Sequence, residues 1–162
     1  MYVKDALGQR HQNVSYDMPY DEVTRRLREA IGDYFKLELG RPEILNRIGE
    51  NIVIFDFIRQ EAGQAILRAQ VDKLIRRLKE QKNLTLVIPD TSYQQLSDAA
   101  LADLTNGGRG IGNQVEALLI NPLSRYLFDS GIAENATVTV DAFETTAQPP
   151  ALRCTTTKEE NT

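Results

Sequence analysis

Hydrophobic positions along the chain recur first at helical spacing, then at strand spacing, and the switches between the two mark its elements. Tyr20, Val23, Leu27, Ile31 and Phe35 follow one another at intervals of three and four, one face of a helix that opens near Pro19 and Asp21. Arg25, Arg26, Arg28 and Glu29 lie off that face and read as a solvated, charged surface. Residues 1–17 are polar and read as irregular. Gly40 and Pro42 end the helix. A short helical turn, 43–47, fits before Gly49, and Asn51-Ile-Val-Ile-Phe55 reads as a buried strand.

The helical period returns over 58–81. Ile58, Ala62, Ala65, Ile66, Ala69, Ile75 and Leu78 form its apolar stripe, and Arg68, Lys73, Arg76, Arg77 and Lys79 fall mostly outside it. Leu84–Ile88 is a second strand, closed by Pro89. Asp90 or Thr91 caps a helix over 91–104. Asn106-Gly-Gly-Arg-Gly110 reads as a break. A further helix starts at about 111, with Ile111, Val115, Leu118, Leu119, Leu123 and Leu127 on one face. Pro122 lies inside that pattern and is expected to kink or interrupt the helix, because it removes a backbone donor and crowds the preceding turn. Gly131 ends the run. Ala136–Val140 alternates as a last strand. From Thr145 on, polar residues dominate and a frayed tail is expected. The order helix, strand, helix, strand, helix, helix, strand predicts a mixed α/β (α+β) layer with helices packed on a short sheet.

The bulk numbers narrow the function. With 162 residues the chain suits one medium domain, or one small domain with a piece of another. A formal charge of −4 argues against a non-specific nucleic-acid binder. The single cysteine, Cys154, excludes an intrachain disulfide and a thiolate zinc cluster, and suits a reducing compartment. The one histidine, His11, reads as part of a solvated loop. There is no apolar run long enough to span a membrane and no apolar signal core at the N-terminus, so a soluble, cytoplasmic protein without membrane or metal is expected.

Two arginines stand out. Arg109 is surrounded by Gly107, Gly108, Gly110 and Gly112, just ahead of a helix. Backbone N–H groups and the dipole at such a place attract phosphate, and an arginine there is unfavourable unless an anion compensates it. The plainer reading, a glycine-rich turn between helices with an exposed arginine, stands beside it. The segment is not a P-loop, since no Lys-Ser or Lys-Thr follows the glycines. Arg47 sits at the lip of the 51–55 strand.

Arg41-Pro-Glu-Ile-Leu-Asn-Arg47-Ile48, the strand Ile52–Phe55, Gly107-Gly-Arg109-Gly110 and Asn121-Pro122-Leu123 occur in an order and spacing that resembles the C-terminal part of a Clp-type AAA+ ATPase. The resemblance covers roughly residues 19–141. It implies a remnant of the large ATPase domain over 1–56, a small C-terminal domain over 57–144 and a tail over 145–162. It further implies that Arg47 is an arginine finger, catalytic in trans on a neighbour's nucleotide. Arg109 would be the sensor-two residue, contacting its own subunit's nucleotide with Gly107, Gly108 and Gly110 around it. The parent would be a hexameric ring that uses ATP or ADP with Mg and acts on protein substrates as an unfoldase or disaggregase, and this chain would sense nucleotide and pack subunits.

The chain departs from the family pattern at several points. Gly49 replaces the acid that usually follows Asn-Arg-Ile, Gly108 replaces an alanine, and Phe35–Gly40 adds residues before Arg41. No Walker A matches, and Leu84–Asp90, the nearest imitation of a Walker B strand, lacks the glutamate. The chain alone is therefore expected neither to hydrolyse ATP nor to hold nucleotide tightly. Two other readings compete: a stand-alone interaction module related to the small domain, and a phosphopeptide- or nucleotide-binding module built on Arg109.

Overall fold

The computed structural model describes residues 2–4 and 10–158. The chain divides into two compact units, Met1–Phe57 and Ile58–Thr162.

In the first unit, β1 (Tyr2–Lys4) and β2 (Arg10–Gln12) pair antiparallel, Val3 opposite His11, where an irregular segment was expected. The side chain of His11 lies outside the described residues. Helix α1 spans Tyr20–Asp33, with Pro19 before it and Asp21 and Glu22 in its first turn, where acids favour the dipole. It continues as a π-helical turn, Tyr34–Glu38, and ends at Gly40, whose φ is +62°. Helix α2 spans Pro42–Ile48 with proline at its start and is stopped by Gly49 at φ +56°. The charged face of α1 is an ion-pair cluster in which Glu22 accepts from Arg25 at 2.8 Å and from Arg26 at 2.6 Å. These contacts hold the Glu22 carboxyl down to about 2.

The predicted buried strand at 51–55 does not form. Residues 51–59 join no ladder, and Val53 and Phe55 stand 73% and 85% exposed. A strand needs a neighbour to satisfy its amides, and no described strand lies beside this one. Instead the side chains of α1 hold it. Tyr20 Oη donates to the carbonyl of Ile54 at 3.0 Å, and Arg28 donates to that of Ile52 at 3.1 Å. Ile52 and Ile54 are thereby partly covered while the alternate residues face solvent.

The second unit is mixed α/β, with helices packed on a three-stranded sheet. Its elements are α3 (Gln60–Lys82), β3 (Leu84–Val87), α4 (Asp90–Ala100), α5 (Gly107–Val115), α6 (Asn121–Asp129), β4 (Ala136–Glu144) and β5 (Ala151–Lys158). The sheet order is β3-β4-β5, the first pair parallel and the second antiparallel. Strand β5 corrects the expectation of a frayed tail. The threonine-rich segment 151–158 pairs along all of β4, because β-branched threonines suit a half-exposed strand and Leu152 and Cys154 pack against the core.

Helix α3 buries Gly63, Leu67 and Val71, with Leu74, Ile75 and Leu78 partly buried beside them, while Ala62, Ala65 and Ala69 are exposed. The predicted stripe was therefore rotated about the helix in its first half, where alanines occur on both faces and weaken the periodic signal. Gly63 admits close packing, since a Cβ there would meet the side chains of Leu101 and Leu104 at 3.3 Å. The core gathers Leu67, Val71, Leu86, Leu96, Ile111, Leu119, Leu123, Val138 and Val140.

Two backbone irregularities are built in. Pro122 offers no N–H to the carbonyl of Leu118, yet the helical run is not interrupted. A π-helical turn, Glu116–Ile120, lies between α5 and α6, and the N–H of Asn121 bonds the carbonyl of Glu116. In β4 the register against β5 shifts between Val140 and Ala142, which leaves Asp141 as the extra residue of a bulge. Helix α4 satisfies the groups this frees: Ser92 Oγ donates to the carbonyl of Asp141 at 2.8 Å, and Gln95 Oε1 accepts the N–H of Phe143 at 3.0 Å.

Candidate functional site

Helix α5 begins within the glycine run rather than after it. The chain enters the helix through Gly107, whose φ is +60°, a conformation that glycine adopts without a Cβ penalty. Three glycines in the first turn disfavour a helix. Burial of Ile111 and Val115, 0% and 1% exposed, outweighs that cost. The expected break at 106–110 is thus the first turn of a helix.

That first turn sets the surroundings of Arg109. Its side chain is exposed, and among the described residues it has no hydrogen-bond or ion-pair partner. The N–H of Gly107 bonds the carbonyl of Leu104 at 2.9 Å and that of Gly110 bonds Asn106 at 3.3 Å. The N–H groups of Gly108 and Arg109 have no backbone acceptor among the described residues. The turn holds no acid. A guanidinium, two amides and the positive end of a helix therefore occupy one turn with no negative charge to balance them, the chemistry of an anion site. Gly110 keeps the turn closed, because a Cβ there would lie 2.9 Å from Cβ of Asn106. This contact is tertiary detail that residue spacing does not reveal.

Arg47 belongs to the first unit. It lies in the last turn of α2, exposed and without a partner among the described residues, near the positive-φ Gly49 that stops the helix. Gly107, Gly108, Arg109 and Gly110 are brought together on one turn; Arg47 stands in the other unit.

Other chemistry is sparse. Among the described residues no group of three or more His, Cys, Asp or Glu side chains could hold a metal ion. Cys154 is half-buried, and burial, with Asp141 nearby, pushes its thiol up to about 11, away from nucleophilic use. The crevice between α3, β3 and α6 is apolar and too narrow for a water molecule. No helix among the described residues is long and apolar enough to cross a membrane.

Comparison with known proteins places the chain beside Clp-type proteins. The chain is 29% identical over 125 residues to chaperone protein ClpB of Gloeobacter violaceus, covering 77% of this chain and 13% of the relative. It is 27% identical over 143 residues to chaperone protein ClpB 1 of Thermosynechococcus vestitus, covering 88% and 15%. It is 30% identical over 122 residues to the ATP-dependent Clp protease ATP-binding subunit ClpC of Staphylococcus aureus, covering 75% and 14%. The chain thus spans about one seventh of the length of these relatives. Residues 58–140, more than half of the chain, match the family described as the C-terminal, D2-small domain of ClpB protein. This protein therefore belongs to that family and corresponds to the C-terminal portion of a Clp-type AAA+ ATPase.

Proposed function

We propose that this chain is the nucleotide-sensing and subunit-packing region of a Clp-type ATP-dependent chaperone that remodels protein substrates as a ring. In this reading Arg109 is the sensor, answering the nucleotide of its own subunit, and Arg47 is the finger, answering the nucleotide of the next. The observation that carries it is the uncompensated positive turn at Gly107–Gly110. A phosphate oxygen fits there: Arg109 would hold it by a forked, permanently charged donor, and the amides of Gly108 and Arg109 would complete the cradle. A bound nucleotide supplies the γ-phosphate whose charge the two arginines register. Arg47 suits a finger because it is exposed and unpaired, so its charge is free for a group outside its own unit.

The test is nucleotide affinity and turnover in the full-length polypeptide that carries this segment. Arg47→Ala should lower turnover by roughly 10³-fold or more while sparing ATP binding, the range seen when arginine fingers are removed from related NTPases. Arg109→Ala should weaken nucleotide affinity and its coupling to domain closure. Normal turnover in the first variant ends the finger assignment. Unchanged affinity and turnover in the second end the sensor assignment.

A second reading, a non-catalytic interaction module, is favoured by one observation. Val53 and Phe55 stand exposed in a segment without regular structure, where a partner could cover them. Salt-resistant binding to another chain that Phe55→Asp abolishes, in a parent without ATP turnover, would establish it.

A further inference from the structure

The three-stranded sheet has two outer edges, and they are protected unequally. Strand β3, on one edge, has four residues, and Lys79 reaches Thr85 Oγ1 on it at 3.3 Å. A short strand and a lysine both blunt an edge against further pairing. Strand β5, on the other edge, has eight residues, with neither proline nor glycine among them. Thr155, Thr156 and Thr157 give it β-branched side chains that suit pairing.

The hydrogen bonds show which groups of β5 face outward. Tyr126 Oη, from α6, donates to the carbonyl of Cys154 at 3.3 Å, so that carbonyl turns away from β4. Backbone groups alternate between the two sides of an antiparallel strand. Leu152, Cys154 and Thr156 therefore turn their N–H and C=O groups outward, while Arg153 and Thr155 turn theirs toward β4. Among the described residues no backbone group outside the sheet bonds to β5. The hydroxyl of Tyr126 leaves the Cys154 carbonyl open to a second donor, because a carbonyl oxygen has two lone pairs. Two charges lie beside this edge. Arg153 and Asp141 are both exposed, and neither has an ion-pair partner among the described residues. Asp141 accepts from Thr155 Oγ1 at 2.7 Å, which sets its carboxylate on the sheet face that Thr155 and Arg153 share.

We propose that β5 pairs antiparallel with β5 of a second copy of this chain, joining the two sheets edge to edge. With Cys154 opposite itself on the two-fold axis, Leu152 faces Thr156 of the second copy. Leu152, Cys154 and Thr156 then each donate one backbone hydrogen bond across the axis and accept one. Pro150, which has no N–H, ends the ladder. The same register sets Arg153 opposite Thr155 of the second copy, about 5 Å away. The guanidinium thus reaches the carboxylate that rests on that threonine, and the two-fold makes the contact twice. The edge is complementary to itself in backbone and in charge, which selects a second copy over an unrelated strand. Pairing of this kind closes a dimer and builds no ring, so it stands apart from the subunit packing proposed above.

The experiment is sedimentation equilibrium of the full chain from about 1 to about 200 μM, at about 0.05 M salt where surface charges are weakly screened. A monomer–dimer equilibrium is expected. R153D and D141R should each weaken it about tenfold or more, because like charges then face one another across the ladder. R153D/D141R exchanges the two signs and should recover most of the affinity. Hydrogen exchange of the natural chain gives a second readout. The amides of Leu152, Cys154 and Thr156 should gain protection as the dimer forms, while those of Arg153 and Thr155, turned toward β4, are protected at every concentration. A monomer throughout overturns the proposal. So does a dimer that ignores both single variants, or a double variant no better than either. Assembly beyond a dimer that the charge variants do not alter belongs to another surface and overturns it too. Protection of the three outward amides that appears only in the full-length polypeptide makes the parent's own chain the occupant, against a second copy. Should the variants not fold, the natural chain decides: concentration-dependent protection at Leu152, Cys154 and Thr156 upholds the paired edge, and its absence refutes it.

Discussion

Gly107, Gly108 and Gly110 stand within four positions of one another, and each meets a methyl group differently. At Gly107 the φ of +60° makes any side chain strained. At Gly110 a Cβ would lie 2.9 Å from Cβ of Asn106, so the first turn must shift. At Gly108 a Cβ would rest 3.6 Å from Ile58 and 3.8 Å from Ile66, ordinary contacts. Thermal denaturation should therefore rank the alanine variants with opposite signs. Gly108→Ala should stabilise by up to about 1 kcal/mol, through helix propensity and a less free unfolded chain. Gly107→Ala and Gly110→Ala should destabilise by about 1 kcal/mol or more. A uniform response would mean that the glycines serve only as a flexible turn. Glu22 gives a second residue-scale expectation. Its folded value near 2 lies below the ordinary 4.5, so its ion pairs contribute stability above 4.5 and lose it as pH falls toward 2. Carboxyl carbon shifts of Glu22 should titrate near 2 in the native chain and return toward the ordinary value in R25Q/R26Q.

Elements form where the local pattern and the tertiary setting agree, and irregularities need a partner element. The bulge at Asp141 depends on α4: Ser92 is 1% exposed and its hydroxyl reaches the carbonyl of Asp141. Ser92→Ala leaves that carbonyl without its partner and should cost about 1–2 kcal/mol in chemical denaturation. Ser92→Thr, which keeps the hydroxyl but adds a methyl in a buried site, should recover little. What could be read from sequence follows the same line. Helices α1, α4 and α6, strand β3 and the start of β4 were legible because their apolar spacing is regular. Strand β5 was not, because threonines carry weak hydropathy and its pairing depends on β4. The segment 51–55 reads as a strand by composition but finds no described ladder partner. Helix α5 was placed too late because glycine propensity was overridden by the burial of Ile111. At the candidate site, the glycines and Arg109 were visible in sequence. The free amides and the Asn106 contact were not, since they belong to how the turn closes.

Across the whole molecule, burial is divided unequally. Among its described residues the first unit buries Val14, Val23 and Ala30, and it exposes Tyr16, Tyr20, Tyr34, Leu37, Leu39, Val53 and Phe55. The second holds a contiguous core from α3 to β4, and its exposed large apolar residues are Val87, Ile120 and Phe128. Apolar burial is the main favourable term in folding, so the two units should differ in opening free energy. Hydrogen exchange on the chain alone should find the slowest amides in α3, α5, α6 and β4, lost together in global unfolding. Amides of α1 and α2 should exchange through local opening, at least about a hundredfold faster, a gap of about 2.7 kcal/mol. The same measurement on the full-length polypeptide tells what completes the first unit. Protection of 20–57 that rises without nucleotide means that neighbouring polypeptide covers Val53 and Phe55. Protection that rises only with nucleotide ties that surface to the state Arg47 and Arg109 are proposed to read. Equal protection of both units in the chain alone would show that the first unit needs no further cover, and the exposed apolar surface would then lose its claim to be an unfinished interface.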